Sequence, residues 1–120
     1  MTPQEFKIIR KALGLTANDV AEKFDVARRT AQRWETTFAP PLEVAEWIED
    51  QLGHYADRVA EVMETAEYMG EVTLFRYDDD AECIKATGLS VSEHDALLGH
   101  VAIALTAADL PFRFMAKPKP

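Results

Sequence analysis

Cysteine is nearly absent: Cys83 is the one cysteine in 120 residues. An internal disulfide is excluded, and so is a zinc knuckle built on paired thiols. Long apolar runs are missing too. The most apolar stretch, Val101-Ala102-Ile103-Ala104-Leu105, falls far short of the roughly 20 helical residues that span a bilayer. No basic-then-apolar leader opens the chain, because residues 1–10 already read as an amphipathic helix, so a cytoplasmic location is expected. Phosphate-cradling glycine loops and a Ser/His/Asp elbow are lacking, and no enzyme activity is expected. Metal patterns fail as well. His94 and His100 are six apart and fall on different helix faces, while His54 stands alone. Asp78, Asp79, Asp80 and Glu82 have neither the spacing nor the glycine of a calcium loop, and read instead as acids favoured at a helix N-terminus. No metal and no cofactor are expected.

Cations are in the minority, 13 Lys and Arg against 21 Asp and Glu, for a net charge of −8. That total argues against an anionic partner, but the distribution does not. Residues 1–38 hold seven bases and five acids, net +2, and the other 82 residues carry −10. Three of the seven bases crowd into positions 28–33, a local footprint for phosphate. With 48% apolar residues the chain has material for one real core.

Thr2-Pro3-Gln4-Glu5 reads as a helix start, with a hydroxyl cap, proline at the first position and Glu three residues after the cap. Phe6, Ile9, Ala12 and Leu13 follow at helical spacing, and Gly14 ends the helix where positive φ is cheap. Thr16, with Asp19 as its reciprocal acid, starts a second helix whose inward stripe is Val20, Ala21 and Phe24. After a short turn at Asp25-Val26, a third helix spans about 28–36. Ala31 and Trp34 point inward there, while Arg28, Arg29, Gln32 and Arg33 are outward or flanking. Pro40-Pro41 breaks the chain and seeds the next helix.

From Ala45 the apolar spacing becomes a heptad seam: Ala45, Ile48, Leu52, Tyr55, Val59, Val62, Ala66 and Met69, in alternating steps of three and four. It passes Gly53 without losing register, which favours one helix over about 41–69 above a hairpin broken at Gly53-His54. The seam serves either a homodimer interface, which a weakly binding module favours, or the subunit's own core. Gly70 ends the helix. Val72–Tyr77 then reads as a strand, and a short helix runs from Asp78–Asp80 to about Thr87, closed by Gly88. A further helix capped by Ser90 or Ser92 is apolar nearly all round and should be the buried centre of this half. Phe112–Met115 reads as a last strand that can pair with the first.

The expected fold is therefore mainly α. A helix-turn-helix bundle covers 1–40, with its core reaching about 48, and a long amphipathic helix connects over 41–70. A small α+β part with a two-stranded sheet, for dimerisation or regulation, covers 71–116, and a tail covers 117–120.

Residues 15–35, from Leu15-Thr16-Ala17-Asn18-Asp19-Val20-Ala21 through Val26 to Arg33-Trp34-Glu35, resemble the helix-turn-helix of the lambda repressor and Cro (XRE-type) superfamily. The resemblance extends over about residues 4–48. It implies a close helix crossing at Ala21, a Val26 plug in the turn and Trp34 packed on the first helix. It also implies a structural ion pair between Arg10 and Glu35. The base-reading positions fall on Arg28, Arg29, Gln32 and Arg33, with arginine suited to guanine and Gln to adenine, and Arg33 alternatively meeting a phosphate. Thr16 and Ala17 occupy the family's phosphate-anchoring turn. Three positions depart from the pattern. Asp25 replaces the turn glycine, Ala27 the hydroxyl cap of the third helix, and Ala31 a larger aliphatic. Beyond residue 48 the chain is similar to short α+β extensions of uncharacterised bacterial cytoplasmic proteins, which imply no activity. The expected function is a homodimeric, sequence-specific regulator of transcription that binds double-stranded DNA in a bacterium or phage. The alternative is a protein-interaction module on the same fold, antitoxin-like or a phage adaptor, using the acidic C-terminal half.

Overall fold

The structure, a computed structural model, describes residues 1–117. Among these it is mainly helical, as expected, with a two-stranded sheet. The order is α1 (Pro3–Ala12), α2 (Ala17–Lys23), α3 (Arg28–Arg33), α4 (Leu42–Met69), β1 (Val72–Arg76), α5 (Asp80–Thr87), α6 (Val91–Ala107) and β2 (Phe112–Ala116). The chain divides into two compact units, Met1–His54 and the stretch from Tyr55 on, so the division falls inside α4 rather than at its ends. From residue 118 the expected tail lies outside the described residues.

In the first unit the caps set the helix starts. The Thr2 hydroxyl accepts from the Glu5 N–H at 3.2 Å. Thr16 and Asp19 form a reciprocal capping box at 3.0 and 2.7 Å. Gly14 takes φ +75°, and Asp25 adopts the left-handed region at φ +52° in the turn before α3. Ala27 caps α3 without a side-chain hydrogen bond. The third helix stops at Arg33, three residues short of the expected end. Trp34, Glu35 and Thr36 donate to carbonyls only three residues back, and the Thr36 hydroxyl also leans on the Gln32 carbonyl at 3.4 Å. Such tightening and back-bonding end an α-helix. Phe6, Leu13, Val20, Ala31, Val44 and Ile48 form the core. Trp34 meets Phe6 edge-on at 6.3 Å, and Trp47 meets Phe24 at 5.5 Å.

The second unit is built on α4 from Tyr55, with α5 and α6 crossing between two parallel strands. The register pairs Val72 with Phe112 and Arg76 with Ala116. Asp79 caps α5 by accepting from the Glu82 N–H at 2.8 Å, and Gly88 closes it at φ +77°. Ser90, not Ser92, caps α6, in a capping box with Glu93. One expectation is corrected. Rather than lying buried all round, α6 buries only the face that carries His94, Leu97, Leu98, Val101 and Leu105, while Ile103 on the opposite face is 70% exposed. Two strands and the neighbouring helices wrap one side of an apolar helix and leave the other uncovered.

The eight seam positions of α4 have different fates. Ala45, Ile48, Tyr55 and Ala66 are buried within the chain itself, so they serve its own core. Val59 and Val62 are half-buried, and Leu52 and Met69 are exposed. The helix continues through Gly53, and there is no hairpin at Gly53-His54.

Candidate nucleic-acid interface

The two short helices α2 and α3 pack against each other, with Ala21 and Ala31 both buried at their inner faces. Small side chains let two helices approach closely, and the turn between them, at Asp25, redirects the chain. With Ala31 committed inward, the remaining surface of α3 is left to its long polar side chains. Arg28 and Gln32 are four apart, as are Arg29 and Arg33, so they form two adjacent rows along one exposed flank. All four residues are exposed. Among the described residues no hydrogen bond or ion pair holds any of these side chains, so three guanidiniums and one amide are unsatisfied within the chain.

Thr16 and Ala17 lie at the start of α2. Thr16 is exposed, but the Asp19 carboxylate takes its N–H and the Asp19 N–H takes its hydroxyl. Of the two positions, only the half-buried Ala17 keeps a backbone N–H for an outside acceptor.

The module is pinned by Arg10. Its Nε pairs with Glu35 Oε1, and its Nη1 donates to the Leu15 carbonyl at 2.6 Å. Each side chain of the pair is only 11% exposed. One guanidinium thus ties α1 both to the loop that opens α2 and to the turn that follows α3. The hydrogen bond to Leu15 has no signature in the sequence. A backbone carbonyl is a partner at every position, and only the fold selects this one.

The second unit offers a different feature. His94, on α6, is buried to 8% exposure, and its Nδ1 has no hydrogen-bond partner. The Tyr77 ring stands edge-on to the imidazole at 5.4 Å. Burial pushes the His94 pKa down, with Arg58 adding to the fall and Asp95 opposing it. His94 is therefore neutral in the folded chain near pH 7 and carries its ordinary value once unfolded. The stabilisation is present above the unfolded value near 6.5 and lost as pH falls through the folded value, because the unfolded state binds the proton first. As pH falls below about 6.5, the wild-type chain is expected to lose stability through this group. Urea melts at stepped pH should show a flatter profile for His94→Leu. An unchanged profile would show that His94 is not the group responsible.

The imidazole also lines a cleft of about 360 Å³ between α4 and β1, with Glu61, Thr65 and Leu74 among its walls. Among the described residues no three His, Cys, Asp or Glu side chains come together to hold a metal ion. Cys83 is buried, and that burial raises its thiol pKa, so it stays a protonated, inert core group. No described helix is long and apolar enough to cross a membrane. Compared with known proteins, the chain matches no family model and no curated sequence.

Proposed function

We propose that this chain is a sequence-specific, double-stranded-DNA-binding regulator of transcription. Its first unit would be a lambda repressor/Cro-like helix-turn-helix, acting as a cytoplasmic homodimer. The single observation that carries the reading is the α3 flank, where Arg28, Arg29, Gln32 and Arg33 are exposed and their side chains have no partner among the described residues. Arginine presents a fork that matches guanine O6 and N7, and the glutamine amide matches adenine N6 and N7. A short helix carrying that set on one flank, with the preceding helix packed across it, has the form that enters a major groove. The acid-rich remainder repels phosphate and favours an approach by α3 first.

Salt titration tests this against the alternative of a protein-interaction module. Displacing counterions from several phosphates makes log K fall steeply with log[salt], by about 0.9 for each phosphate neutralised. The DNA reading expects a slope of roughly −3 or steeper on duplex DNA. A flat response would favour the protein-interaction module.

A further inference from the structure

The second unit ends in a parallel sheet of only two strands, and one of its edges is open. The outer side of β1 borders the cleft walled by Glu61, Val62 and Thr65 of α4. Among the described residues the outer side of β2 has no such cover, and Arg113, Phe114, Met115 and Ala116 are all exposed. The ladder shows which backbone groups are open. Pro111 accepts from the Val72 N–H at 3.2 Å, and Lys117 donates to the Arg76 carbonyl at 2.8 Å. The odd-numbered residues of β2 therefore face β1, and Phe112, Phe114 and Ala116 direct both N–H and C=O outward.

The same flank continues onto α6. Phe114, 47% exposed, shares a depression with Leu98 and Gly99, at whose rim stand Arg76 and Asp95. Beyond it, Ala102, Ile103, Thr106 and Ala107 line a second shallow apolar depression. A side chain added at Gly99 would meet nothing within 4 Å, so packing inside the chain gives no reason for a glycine that weakens the middle of α6.

We infer that this face is a homodimer interface: β2 of one copy pairs antiparallel with β2 of a second copy about a two-fold axis at Phe114, joining the two sheets into one of four strands. A second copy is the occupant that the charge distribution selects. The chain carries −8, so two copies repel over most of their surfaces. β2 has no acid and one arginine, and from Gly99 to Ala107 α6 carries no Asp, Glu, Lys or Arg. Asp95 is the one carboxylate lining the depression beside Phe114, and Arg76 shares that lining, so two anionic copies meet here with few opposing acids.

Geometry agrees. An outward-facing Phe114 pairs with its symmetry mate as a hydrogen-bonded pair, and Phe112 pairs with the mate's Ala116, for about six new backbone bonds. That register keeps both α6 helices on the same face of the joined sheet, with their uncovered flanks turned toward the axis. A five-residue edge about 17 Å long, with a helix flank above it, buries roughly 1,000 Å² in total. This is the low end for a specific interface, so the dimer dissociates on dilution. The inference deepens the homodimer part of the reading above, yet stands apart from its DNA part, because self-association is measured without DNA.

Sedimentation velocity of the full chain over a wide concentration range tests it. The wild type should shift from monomer toward twice the mass. Ala116→Pro removes an outward N–H without breaking a bond to β1, and Ile103→Glu places two carboxylates across the axis. Each should raise the dimer Kd at least tenfold, with circular dichroism melts showing that the variants still fold. A wild type that stays monomeric at the highest concentration would overturn the inference. So would a dimer that survives both substitutions, or one broken only by Leu52→Glu or Met69→Glu on α4.

Discussion

Replacing Arg28 and Arg29 together by alanine is expected to weaken binding to a selected duplex by between about 30-fold and 10⁴-fold, because each lost base contact counts for roughly 1–3 kcal/mol. The fold should not suffer. Both side chains are exposed and have no partner among the described residues, and alanine is the better helix former. The two consequences therefore separate cleanly: thermal melts unchanged or slightly higher, specific binding weakened. Residual affinity should come from the phosphate contacts and from the remaining readers, Gln32 and Arg33, so the preference for selected over scrambled duplexes narrows. Equal binding by wild type and double variant would remove the reason to assign base reading to α3.

The largest effect on stability is expected at Arg10 and Glu35. Removing one member of a largely buried ion pair leaves an uncompensated charge, which costs about 3–5 kcal/mol. Each side chain here keeps 11% exposure, so the lower end applies. Arg10→Ala should cost more than Glu35→Ala, because it also abandons the Leu15 carbonyl. Against a typical total of about 5–15 kcal/mol, either loss is severe. Replacing the pair by apolar residues of similar volume, Arg10→Met with Glu35→Leu, should recover much of the loss. Urea denaturation of the three variants checks this. A cost under about 1 kcal/mol for both single variants would show that the pair behaves as an exposed one.

Much of the fold was legible because helix ends are written in local chemistry. Thr2, Thr16 and the glycines at 14, 70 and 88 carry their own geometric reasons, and the alternating steps from Ala45 to Met69 required one helix through Gly53. Less legible was anything that depends on what covers a face. Periodicity groups Ile103 with neighbours on one side of α6, but it does not say that the sheet ends after two strands and leaves that side bare. The same gap separates Ile48 and Tyr55, which are buried, from Leu52 and Met69, which share their spacing and are not. His94 gave no signal at all. A lone histidine between Glu93 and Asp95 reads like any other until the fold buries its Nδ1 without a partner. At the candidate site, the outward set on α3 was readable from the inward positions of Ala31 and Trp34. The occupation of the Thr16 N–H by Asp19 was implicit in the same capping box that marked the helix start.

The most direct measurement is selection from a pool of random duplexes by the full-length wild-type chain, run beside the Arg28→Ala, Arg29→Ala double variant. The account predicts that the wild type enriches a two-fold-related pair of half-sites whose centres lie about 10 bp or a multiple apart. The double variant should lose enrichment at the base positions that Arg28 and Arg29 read. No enrichment by the wild type, or the same sequence enriched by both proteins, would contradict it.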